Sequence, residues 1–265
     1  MSKNATKAGK LPVIEAKAFI CDMDGVIYHG DRLLPGVVEF VEWLKKEGKK
    51  FVFLTNNPNR TPRELSEKME RLGLEIHEDN FYTSALATAS FLAQQCPGGS
   101  AYVIGEAGIT NALYNEGLSI NETSPDYVVV SDSNNYNYEK LERAVNLVLK
   151  GAKLIGTNPD LTGPTEKGIM PSTGALISPI ELATNRKAYF VGKPNPLMMR
   201  NALRKLKCTK EEAVIIGDRM DTDILAGIEA EITTILVLSG VTKEEDLCNF
   251  AYRPHFVLNG VKDII

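Results

Sequence analysis

A chain of 265 residues, 43% hydrophobic and 24% charged, has ordinary globular composition and is long enough for one large domain or two smaller ones. Its formal net charge of −4, with basic residues scattered in short pairs such as Lys45–Lys46 and Lys49–Lys50, offers no surface for a nucleic-acid polymer or an anionic membrane. Four separated cysteines (Cys21, Cys96, Cys208, Cys248) without a CxxC read as free thiols in a reducing compartment, no apolar run approaches the ~20 residues of a membrane span, and a cytoplasmic location is expected.

The opening MSKNATKAGK is polar with no apolar stretch behind it, so a flexible tail over 1–16 is expected rather than a signal peptide. Short apolar runs then alternate with amphipathic segments. AFIC (18–21), FVFLT (51–55), AYVIG (101–105), YVVVS (127–131), KLIGT (153–157), AYFVG (188–192), AVIIG (213–217), TILVL (234–238) and HFVL (255–258) look like buried parallel strands, each short, rich in β-branched or aromatic residues and followed by turn residues. Between most of them lie helical patterns, of which TPRELSEKMERLG is the clearest. Thr61 suits an N-cap, Pro62 suits N1, Glu64 completes a capping box, Leu65, Met69 and Leu72 recur at helical spacing, and Gly73 ends the helix.

This alternation predicts an α/β fold. Nine strands are many for one sheet, and the stretch 84–183 holds three of them with interleaved helices before the Gly/Pro-rich GTNPDLTGPTEKGIMPSTGAL (156–176). It is read as a second α/β domain inserted into a core made of 17–83 and 184–265.

In open α/β sheets ligands bind beyond the carboxyl ends of strands, and here several strand ends carry polar residues of one kind. The first gives Asp22 and Asp24, FLTNN gives Thr55, Asn56 and Asn57, YFVGKP gives Lys193, and VIIGDRMDTDI gives Asp218 and Asp223. If these strands are neighbours, four carboxylates meet one ammonium and one hydroxyl. Side chains two apart on an extended chain share a side, so Asp22 and Asp24 would crowd each other. Such a cluster calls for a hard, oxygen-preferring divalent ion, and Mg2+ is the usual one where phosphate is also bound. Lys193 could neutralise one phosphoryl oxygen and Thr55 donate to another. One carboxylate could attack phosphorus, and a second could protonate the leaving oxygen and later activate water.

DMDG after an apolar strand, LTNN, a GKP lysine and GDRMDTDI, in that order, resemble the haloacid dehalogenase superfamily of phosphatases. DGVIYHGDRLLPG, TNPD and GDRMDTDILAG look like its NagD-like branch, class IIA, and the resemblance runs from about Lys17 to Ile265. It implies a Rossmann-like parallel-sheet core with an inserted cap of the C2 type. It also implies Asp22 as nucleophile and Mg2+ ligand, Asp24 as acid/base with its backbone carbonyl on the metal, and Asp218 as a further ligand. Thr55 and Asn56 would hold phosphoryl oxygens, Lys193 would offset charge, and Asp223 would orient Lys193 or the metal waters. The cap would select a small phosphorylated metabolite. The segment 157–174 reads either as a plain connecting loop or as one whose Asn158 and Asp160 line the substrate side of that cap. A homo-oligomer, if formed, is expected through the cap.

Plainer roles compete at several positions. Asp24–Gly25 alone is a common turn pair, and Gly25 would let the chain turn away to leave room for phosphate. Asp221 reads as a helix N-terminal acid. Cys21 is no cysteine-phosphatase nucleophile, because the arginine needed six residues on is Ile27. His29, His77 and His255 lack metal-ligand spacing, His29 reads as a surface or packing residue, and there is no Walker A sequence or GxGxxG. A Mg2+-dependent phosphomonoesterase acting through an aspartyl-phosphate on Asp22 is the expected activity. A phospho-ligand-binding regulatory protein and a phosphomutase are the alternatives.

Overall fold

The computed structural model of the chain describes residues 12–165 and 168–265. Most of the tail expected over 1–16 lies outside the described residues, but Pro12–Glu15 forms a 3-10 turn in which Val13 is buried. The chain divides into two compact units, Met1–Phe51 with Leu206–Ile265, and Val52–Lys205. The expected insert 84–183 lies wholly within the second unit, together with the segments on either side of it.

The first unit is built on four parallel strands in the order Phe256–Leu258, Thr233–Val237, Ala213–Gly217, Ala18–Cys21. The last two named strands are buried along their whole length, which is why they read as unbroken apolar runs rather than alternating ones. Register pairs Ala18 with Ala213 and Cys21 with Ile216. The helix Val37–Lys46 buries Val37, Phe40, Val41 and Leu44. Phe19 meets Phe40 and Trp43 edge-on, with ring centroids 6.0 and 5.5 Å apart. The first strand is thereby anchored at its apolar end while its polar end stays available.

The second unit holds a five-stranded parallel sheet in the order Tyr189–Phe190, Lys153–Gly156, Tyr127–Val130, Ser100–Ile104, Ser119–Ile120. Helices Ser84–Gln95, Ala107–Asn115, Tyr138–Leu149 and Thr173–Thr184 alternate with its strands. Part of its core is Tyr102, Ile104, Val128, Val130, Leu147, Leu154, Ile177 and Ile180. The strand ending in Thr55 pairs in parallel with Phe81–Thr83, and the helix Pro62–Arg71 lies between the two in the chain. That helix carries the expected capping box, with Thr61 and Glu64 bonding each other's backbone N–H.

Two features of this unit depart from expectation. The strand within 188–192 is only Tyr189–Phe190, and it pairs with Ile155 and Gly156 at the edge of the five-stranded sheet. Lys193 therefore follows a strand of the insert's sheet. The Gly/Pro-rich segment, in which no strand is expected, contains the antiparallel pair Thr162–Thr165 with Gly168–Pro171.

Candidate active site

The register of the first sheet builds the acidic part of the site. Asp22 extends the first strand by one residue, its N–H donating to the Ile216 carbonyl at 2.8 Å. That bond carries Asp22 alongside the strand that ends in Gly217 and leads into Asp218. A single turn of π-helix, Met220–Ile224, then brings Asp223 back toward the strand end. Carboxylate oxygens of Asp22, Asp218 and Asp223 lie within 4.8 Å of one another. Asp218 and Asp223 are buried.

Backbone donors within the unit hold two of these carboxylates. Asp218 Oδ2 accepts from Val241 N–H at 2.7 Å, and Asp223 Oδ2 from Arg219 N–H at 3.1 Å. Glycines make the space. A Cβ on Gly240 would lie 2.0 Å from Asp218 Oδ2, and one on Gly25 2.4 Å from it. Gly25 also has a φ of +77°, so the turn after the first strand requires it on two counts.

Three carboxylates this close repel one another unless protons or a cation lie among them. An all-oxygen donor set held by rigid strand ends fits a hard divalent ion, so Asp22, Asp218 and Asp223 suit Mg2+.

Asp24 follows the first strand in a turn. The strand ends at Cys21, and the chain then curls, with Ile27 N–H donating to Met23 O at 2.8 Å and Gly25 N–H to Tyr28 O at 2.9 Å. Here Met23 is buried, Asp22 is partly buried and Asp24 is exposed.

The second unit gathers the remaining candidates. Thr55 is buried, and its Oγ1 accepts from Asn57 N–H at 3.0 Å, leaving the hydroxyl hydrogen for another acceptor. The Asn56 side chain bonds protein groups. Its Oδ1 accepts from Lys193 N–H at 2.8 Å, and its Nδ2 donates to Lys193 O at 3.0 Å and to Asp160 Oδ2 at 2.9 Å. Lys193 is only 2% exposed. Asn158 Nδ2 donates to Asn56 O at 3.0 Å, and Asn158 Oδ1 accepts from Asp160 N–H at 3.1 Å.

Neighbouring residues have plainer roles. Burial pushes the Cys21 thiol far up, away from the thiolate a nucleophile needs. Burial would also raise the Asp221 carboxyl, but hydrogen bonds and charge from Arg219 outweigh it and hold that carboxyl low. The guanidinium bonds are 3.1 and 2.8 Å long. His29 is exposed. Gly240, Val241 and Ser239, whose hydroxyl donates to Gly25 O at 2.7 Å, complete the surroundings of Asp218 and were not foreseen. The available signal was a glycine just past an apolar strand, in LVLSGVT.

Residues 19–119 match a family described as haloacid dehalogenase-like hydrolase, and residues 190–264 one described as HAD-hydrolase-like. A dihydroxyacetone phosphatase of Corynebacterium glutamicum is 42% identical over 93% of this chain and 90% of its own. The chain belongs to the haloacid dehalogenase-like hydrolases, in their NagD-like branch. Ribonucleotide monophosphatase NagD of Escherichia coli is 41% identical, covering 94% of this chain and 98% of that protein. The structure of a 4-nitrophenylphosphatase from Thermotoga maritima matches with a TM-score of 0.91 at 35% identity, covering 95% of this chain and 97% of that one. These relatives are phosphatases, and this haloacid dehalogenase-like enzyme belongs with them among the phosphoric monoester hydrolases.

Proposed function

We propose that this hydrolase is a Mg2+-dependent phosphatase of small phosphomonoesters that works through an aspartyl-phosphate on Asp22. The observation that carries the proposal is the meeting of Asp22, Asp218 and Asp223 within 4.8 Å at the ends of two adjacent parallel strands. Asp22, Asp218 and the Asp24 backbone carbonyl would hold the ion, with Asp223 beside them. When bound, Mg2+ supplies charge neutralisation for the carboxylates and the phosphoryl oxygens.

The reaction then needs little more than positioning, an in-line nucleophile and a proton carrier. A carboxylate oxygen of Asp22 attacks phosphorus, and the bond to the leaving oxygen breaks. Asp24, protonated, gives its proton to that oxygen. Asp24, now a carboxylate, takes a proton from water as the water oxygen attacks the aspartyl-phosphate. Inorganic phosphate leaves, and both aspartates return to their starting states. The Thr55 hydroxyl donates to a phosphoryl oxygen, and the Lys193 ammonium offsets charge on phosphate and nucleophile.

The segment 84–183 acts as a cap in this reading. A lid over the site favours small substrates and keeps out bulk water. The named relatives suggest where to look: a triose phosphate, ribonucleoside monophosphates, sugar phosphates and 4-nitrophenyl phosphate form the first panel. Turnover of one or more of these with Mg2+, lost with EDTA and restored by added Mg2+, is expected. Turnover indifferent to chelation would overturn the metal assignment.

A further inference from the structure

The Asn56 carboxamide is too fully engaged in holding protein groups to be read as a ligand for phosphate. Lys193 N–H can only donate, so the amide oxygen must face it, and this fixes Nδ2 toward the Lys193 carbonyl and Asp160. The amide thus pairs with both backbone groups of one residue, as a neighbouring strand would. It does so across 137 positions of sequence, from a buried strand end to a segment that follows a two-residue edge strand.

The surroundings are shaped for this contact. A Cβ on Gly192 would come within 2.8 Å of Asn56 Oδ1 and 2.6 Å of the Thr157 carbonyl, so only glycine lets the three segments approach. Gly192 N–H donates to that same carbonyl at 2.8 Å. The Asn56 backbone carbonyl accepts from Asn158 Nδ2 and, at 2.6 Å, from Ser84 Oγ.

We propose that Asn56 is a positioning residue that fixes the Lys193 backbone, and through it the ammonium, with Asp160 as the anchor that holds the amide in place. The proposal rests on the phosphatase reading, in which Lys193 serves the phosphoryl group. It also reassigns Asp160. Its carboxylate tethers the segment after the 153–156 strand to the lysine, so movement of that segment would reach Lys193 through one amide.

A mutant cycle tests this in the full-length enzyme with 4-nitrophenyl phosphate. Asn56→Ala should lower kcat by on the order of 10²-fold, the scale of a misplacement of about 1 Å, with a smaller change in KM. In a Lys193→Met background the same change should cost less than about threefold, because a residue that acts through another has nothing left to position. The same cycle is read on inorganic phosphate affinity by calorimetry, which does not depend on residual turnover. Asn56→Asp, which keeps the acceptor for Lys193 N–H but faces Asp160 with a second anion, serves if Asn56→Ala does not fold. Equal losses in both backgrounds would overturn the positioning role while leaving the phosphatase reading intact. Full activity in Lys193→Met alone would overturn the role of the lysine itself, and the proposal with it.

Discussion

In the first unit the candidate side chains are three carboxylates within 4.8 Å of one another, two of them steadied by backbone N–H groups. In the second they are an amide, a buried lysine and an aspartate tied together by side-chain and backbone hydrogen bonds, with the Thr55 hydroxyl one residue before the amide. The first arrangement carries repulsion that a cation relieves. The second is a network of matched donors and acceptors that sets positions. The contrast teaches that folding and function put different demands on each unit. Perturbing the acidic group should change metal dependence and chemistry, and perturbing the amide network should change placement.

The largest expected effect breaks the chemistry on the acidic side. Asp22→Asn should lower kcat by on the order of 10⁴-fold or more, as loss of a nucleophile does, with an unchanged circular dichroism spectrum. Retained turnover would refute the assignment. Asp24→Asn should cost about 10² to 10⁴-fold on an alkyl phosphate and far less on 4-nitrophenyl phosphate, whose leaving group barely needs a proton. Equal losses on the two substrates would remove Asp24 from the acid role. Gly240→Ala sharpens the contrast without touching a charge. Its Cβ would sit 2.0 Å from Asp218 Oδ2, so Mg2+ affinity should fall about 10 to 100-fold, the usual cost of disturbing a ligand's support. Mg2+ titration of activity in the variant checks this. The smallest effect lies away from both networks. Thr61→Ala removes the capping box of the helix Pro62–Arg71 and should cost about 1 kcal/mol of stability, seen as a lower Tm with kcat and KM unchanged.

Much of the fold was legible in the sequence. All nine expected strands form, most of them buried and so legible as short unbroken apolar runs, while Tyr189–Phe190 and Phe256–Leu258 lie at sheet edges and are not buried as expected. The strands at Phe81–Thr83 and Ser119–Ile120 were missed. They are two or three residues long, and in the former Thr83 also carries the signal of a helix N-cap. The hairpin in 162–171 was missed because its Gly- and Pro-containing strands show no apolar alternation.

The candidate site was legible as residue types at strand ends, and less so as geometry. Asp22, Asp218 and Asp223 converge through parallel register and a π-turn, the second of which no spacing rule announces. Asp24 is exposed just past the strand end, in a turn whose course the spacing did not give. The work of Asn56 depends on a contact 137 residues away, and local sequence carries no trace of it.

The central claim is that phosphate passes through a covalent bond to Asp22, and trapping that bond tests it most directly. The enzyme is quenched during turnover of 4-nitrophenyl phosphate, treated with borohydride to reduce any acyl phosphate to an alcohol, and digested for mass spectrometry. The account predicts homoserine at position 22, absent without substrate and absent in Asp22→Asn. Efficient turnover with an unmodified Asp22, or with the reduced residue at another position, would contradict it.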